Sequence, residues 1–69
     1  MSAVVLDNNK NIGSAYKSAD GMFVWSVVIM RGSACDFRRG KQRDEMTARY
    51  AMVAGAREMG VENPVLLEL

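Results

Sequence analysis

Three acidic residues are spaced so that a fold could gather them. Asp7 follows a short apolar run, Glu45 opens a helical stretch, and Glu68 sits in the apolar segment Pro64–Leu69. Carboxylates held together in this way bind divalent metal ions, and paired ions activate water for phosphoryl chemistry. Cys35, the single cysteine, is the one nucleophile of note, but a catalytic thiol needs a nearby base and the chain has no histidine. Cys35 is therefore expected to act as a small buried hydrophobe. One cysteine and no histidine also exclude an intrachain disulfide and leave too few ligands for zinc. Glycine-rich phosphate loops are missing too, so no metal and no other cofactor is expected.

The other chemical feature is positive charge. Arg31, Arg38, Arg39, Lys41 and Arg43 face only Asp36 in the stretch they span, which gives it a net +4 in a chain of net +1. These five residues are the candidate partner-binding group. They suit an acidic protein groove or a row of phosphates, or they form a solvated loop that keeps a sheet edge from aggregating. The low net charge favours protein over nucleic acid, and a stacked aromatic pair of the kind that binds RNA bases is missing.

Elements must position these groups, and 69 residues make one domain, covering 1–69. Ala3–Leu6 is β-prone and ends in the turn cluster Asp7–Asn11. Ile12–Lys17 reads as a second short strand, and Asp20-Gly21 as a hairpin turn. Met22–Met30 carries the strongest strand signal, Arg31-Gly32 turns the chain, and Ser33–Arg38 returns antiparallel. Gly40 is read as a breaker, which makes Arg38–Arg43 a loop. A helix follows over Gln42–Met59, with Asp44 and Glu45 at its positive end. Gly60, Val61 and Pro64 spell its stop, and Pro64–Leu69 is a last strand, at an edge because of its proline. The expected fold is α+β: an antiparallel meander of three to five strands on one helix, in the order β-β-β-β-α-β.

This layout leaves too much apolar surface. Both faces of Met22–Met30 are apolar apart from Ser26, with Phe23, Trp25, Val27 and Ile29 on one and Met22, Val24, Ser26, Val28 and Met30 on the other. One helix covers one face, and the aromatic face is expected beneath it. The helix shows two apolar stripes as well: Met46, Tyr50, Val53 and Ala54, and Ala48, Met52, Ala56 and Met59. Between them runs a track of small residues with Gly55 at mid-helix, where glycine costs roughly 1 kcal/mol unless something approaches closely. Either the N-terminal strands cover the spare sheet face, or a second subunit or a partner does. A homodimer or partner-bound protein is favoured, with Met52, Ala56 and Met59 as the candidate patch for self-association or partner contact.

The order of elements resembles the β-β-β-α-β first half of the ribonuclease H fold, in which acids at points like Asp7, Glu45 and Glu68 bind two metal ions. Here Asp7 stands in Asp-Asn-Asn rather than Asp-Gly-Ser, and the second half of that fold lies outside these residues. The three acids are therefore read as surface groups, and the chain as no enzyme. Asp20-Gly21-Met22-Phe23-Val24 before a hairpin and helix is similar to antitoxins of the HicB type, without their proline-rich loop. From Gly21 onward the hairpin Met22–Arg38, the helix Gln42–Met59 and the strand Pro64–Leu69 resemble small phage-encoded host-takeover proteins, of the anti-CRISPR or host RNA polymerase inhibitor type. That resemblance implies a small protein-binding inhibitor that blocks a host protein by occlusion.

No apolar run approaches the ~20 residues of a membrane span. No basic leader precedes Val4, and the lone cysteine suits a reducing compartment. The expectation is a cytoplasmic protein, in the host cytoplasm if phage-encoded, bound to a host protein and homodimeric, with nucleic acid the less favoured partner and no membrane.

Overall fold

The computed structural model describes residues 2–69. Five strands and one helix follow in the order β1 (Ala3–Asp7), β2 (Lys10–Lys17), β3 (Phe23–Arg31), β4 (Ala34–Gln42), α1 (Glu45–Glu58) and β5 (Val65–Glu68). The strands form one antiparallel sheet in the order β4-β3-β2-β1-β5. This is the expected α+β meander on a single helix.

Each hairpin follows from its turn residues. Asn8 and Asn9 both take positive φ (50° and 66°), as a two-residue type I′ turn requires, and asparagine tolerates this conformation better than most residues. The Asn11 side chain accepts from the Gly13 N–H at 3.0 Å, beside a register shift opposite Val5 and Leu6 that marks a β-bulge. Between β2 and β3, Asp20 accepts from the Met22 N–H at 3.0 Å, and Gly21 sits at φ 86°. Gly32 at φ 62° turns β3 into β4.

The β3–β4 ladder continues without interruption to Phe23↔Gln42. The segment Arg38–Arg43 is therefore mostly strand, and the expected loop there is corrected. Gly40 does not break β4. It makes room for Trp25, whose Nε1 would lie 2.6 Å from a Cβ at that position.

From the β4 edge the helix crosses one face of the sheet and delivers β5 to the far side of β1. The Asp44 carboxylate caps it by accepting from the Thr47 N–H at 3.0 Å. At the other end Gly60, at φ 97°, donates to the Arg57 carbonyl at 3.0 Å, and Val61 donates to that of Ala56 at 3.1 Å. This is the expected left-handed stop, with Val61 buried behind it. β5 is an edge strand, as its preceding proline predicts.

The core lies between the helix and one face of the sheet. Val5, Ala15, Trp25 and Val27 rise from the strands to meet Ala48, Met52, Ala56 and Met59, with Phe23 and Ile29 packed at the margin. The aromatic face of β3 is thus the covered one, as expected. No helix among the described residues is long and apolar enough to cross a membrane.

Candidate interaction surface

The three acids do not converge. β5 runs antiparallel to β1 with Ala3 opposite Glu68 and Leu6 opposite Val65, so Glu68 and Asp7 stand at opposite ends of β1. Glu45 and Glu68 do meet, but on a cation: Arg49 donates to each of them at 2.5 Å. Arg49 is 6% exposed, and its guanidinium ties the first turn of the helix to β5. Among the described residues no group of three metal-ligating side chains forms.

Cys35 is exposed, which corrects the expectation that it is buried. It pairs with Met30 near the end of the β3–β4 hairpin, where the helix does not reach its face of the sheet.

The patch expected from Met52, Ala56 and Met59 is corrected as well. These side chains are core residues, and Met52 and Ala56 have no exposure at all. The stripe left in solvent is the other one, with Met46 and Tyr50 exposed. Trp25 decides between them. A Cβ at Gly55 would lie 2.9 Å from its ring, so the helix can approach the indole only with its Gly55 side turned inward. Gly55 does permit a close approach, to a side chain of the same molecule.

The basic residues divide by the pleat of the strands. Residues paired across a ladder share a face. Arg38 pairs with buried Val27 and therefore lies on the helix side, where its Nε is 3.7 Å from Glu58. Arg31 also lies there, donating to the Met59 carbonyl and standing 3.8 Å from Asp36. Lys41 and Arg39 project from the opposite, open face. Lys41 reaches Asp20 at 2.6 Å. That contact, with bonds from the Ser18 hydroxyl and the Met22 N–H, holds the Asp20 carboxyl well below the usual carboxylate range. Arg39 and Arg43 have no acidic partner among the described residues. Three of the five candidate cations are thus engaged within the chain.

The open face is what these elements leave bare. β1 and β2 extend the same sheet instead of folding over it, so they do not cover the methionine–valine side of β3. Met30 (63% exposed), Val28 (45%), Phe37 (60%) and Tyr16 (49%) stand there, flanked by Arg39 and Lys41. The β3 and β4 residues of this face, from Val24 to Met30 and from Cys35 to Lys41, include no acid. An open depression of about 410 Å³ lined by Val24 and Arg39–Lys41 marks it, and another of about 340 Å³ at the sheet margin is lined by residues of both faces, Val28 and Met30 with Ile29, Ile12 and Asp7.

No protein family, curated protein or solved structure matches the chain.

Tyr16 and Phe37 are the residues of this surface that sequence reasoning did not single out. Strand alternation from Val24 and Val28, carried across the ladders Tyr16↔Val24 and Val28↔Phe37, identifies both once the register is known.

Proposed function

We propose that the chain is a small non-enzymatic regulator that docks the open face of its sheet on another protein and acts by occluding that protein's working surface. The observation that carries this reading is the cluster of Val28, Met30 and Phe37, with Tyr16 farther along the same face, beside Arg39, which has no acidic partner among the described residues. Exposed apolar side chains grouped in this way favour association, and Arg39 at their margin selects an apolar patch with an acid beside it. The resemblance to phage-encoded takeover proteins adds a host protein in the cytoplasm as the target. Phosphate binding is the weaker reading, because Arg31, Arg38 and Lys41 are already held by Asp36, Glu58 and Asp20.

The test compares three forms of the protein for stoichiometric capture of one host protein through an acidic patch. These are the wild type, the face variant Val28→Glu/Met30→Glu, and Tyr50→Glu on the outer side of the helix. Capture by the wild type and the helix variant, with at least a tenfold loss for the face variant, is the expected result. Equal capture by all three overturns the reading. A salt-sensitive shift of a nucleic acid would replace it with the phosphate reading.

A further inference from the structure

The β4 edge carries a pattern that the open face does not. Arg31 and Ala34 close the two-residue turn at Gly32-Ser33. The closing pair of such a hairpin is hydrogen-bonded, and hydrogen-bonded pairs alternate along an antiparallel ladder. Asp36, Arg38 and Gly40 therefore direct their backbone groups toward β3. Cys35, Phe37, Arg39 and Lys41 direct theirs outward. β4 is nine residues long, holds no proline, and keeps its register from end to end. Its outer edge is a regular row of donors and acceptors of the kind a further strand adds to.

We infer that the occupant of this edge is β4 of a second copy, paired antiparallel about a two-fold axis at Phe37. In that register Asp36 faces the partner's Arg38, and Arg38 faces the partner's Asp36. Arg39 lies opposite the partner's Cys35, and Lys41 opposite the partner's Ser33. No like charges stand directly opposed. Registers centred one residue to either side put Asp36 against the partner's Asp36, or Arg38 against the partner's Arg38. The Asp36–Arg38 pairs fall at non-hydrogen-bonded positions, where facing side chains stand closest. They also join the two loose ion pairs already present in each copy, Arg31–Asp36 at 3.8 Å and Arg38–Glu58 at 3.7 Å, into one alternating row on the helix side. On the open face the Phe37 side chains meet at the axis and make one apolar ridge with the Val28 side chain of each copy. The opposite edge, β5, has four residues and follows Pro64, so growth beyond a closed dimer is opposed.

This pairing is independent of the occlusion reading, since it uses the strand edge and leaves the sheet face free. The test is sedimentation equilibrium of the full chain together with engineered cross-links. The wild type is expected to be a dimer. Arg38→Asp should weaken association at least tenfold, and Asp36→Arg/Arg38→Asp should restore part of it by exchanging the two charges. Under oxidised glutathione, Arg39→Cys should give a covalent dimer through Cys35 of the partner subunit, whereas Lys41→Cys should not. Positions 35 and 39 of one strand are about 13 Å apart, too far for a bridge within one chain. A monomeric wild type at high concentration overturns the inference, as does equal cross-linking of the two cysteine variants. Loss of host-protein capture with an intact dimer would refute only the occlusion reading.

Discussion

The ring of Trp25 lies against the backbone of Gly55, close enough that a Cβ there would stand 2.9 Å from Cζ3 and 3.0 Å from Cη2. At its other end the same indole lies over Gly40, where a Cβ would come within 2.6 Å of Nε1. Two glycines far apart in sequence therefore form one slot, and the ring cannot slide either way to relieve a clash. Gly55→Ala gains roughly 1 kcal/mol of helix propensity. Overpacking a confined site costs about 1–3 kcal/mol. The net expectation is destabilisation by about 1 kcal/mol, with Gly40→Ala worse because its closest approach is shorter. Urea titration followed by the fluorescence of the single tryptophan reads both. A Gly55→Ala variant more stable than wild type would show that the helix lifts without cost.

Arg49 and its two glutamates give an asymmetric pair of variants. Replacing Arg49 with Met leaves Glu45 and Glu68 partly exposed, so water can solvate them again. Changing both glutamates to Gln instead strands a buried guanidinium whose Nε already lacks a partner. Uncompensated buried charge costs about 3–5 kcal/mol. Glu45→Gln/Glu68→Gln should therefore lose more stability than Arg49→Met, as read from urea midpoints. The reverse order would mean that the guanidinium escapes to solvent.

The helix stripes predict opposite outcomes for two similar truncations. Met52→Ala removes a fully buried side chain and should cost about 2–5 kcal/mol. Met46→Ala, on the exposed stripe, should fall within about 0.5 kcal/mol of wild type. Similar losses at the two sites would mean that the helix is rotated.

Two carboxylates set an acid limb. Asp20 is held below its ordinary range by Lys41, then by Ser18 and the Met22 N–H, and Asp44 by the hydroxyl and N–H of Thr47. A carboxylate depressed on folding contributes stability that is present above its unfolded value of about 4 and is lost as pH falls toward its folded value. Urea midpoints should therefore hold between pH 7 and 5 and decline below 4. Asp20→Asn and Asp44→Asn should each lower the plateau and flatten the decline. An unchanged acid limb in the double variant would place its origin elsewhere.

What was legible in the residues was local. The turn at Asp20-Gly21, the Gly60-Val61 stop and the alternation of Met22–Met30 depend on neighbours in sequence, and all of them appear in the fold. The long-range choices were not legible. Two stripes of similar polarity competed for the inside of the helix, and the tie is broken by Trp25, whose contact with Gly55 spans thirty positions. Gly40 reads as a strand breaker by propensity, yet tertiary packing uses its missing side chain. The spacing of Asp7, Glu45 and Glu68 is compatible with a cluster, and only the antiparallel direction of β5 separates the first from the last. For the candidate surface, the open β3 face was visible as an excess. Arg31, Arg38 and Lys41 were visible as charge, but not as charge with an acid of the same chain nearby.

The place of β1, between β2 and β5, also sets an order of events during synthesis. β1 acquires its first neighbour after a two-residue turn, but its second only after the helix has crossed the sheet. On the ribosome, the bare side of β1 and the inward-facing Val5 must wait until Leu66 has left the exit tunnel. Until then the nascent chain offers two unpaired strand edges, β4 on one side of the sheet and β1 on the other, and this interval is when a chaperone has most to shield.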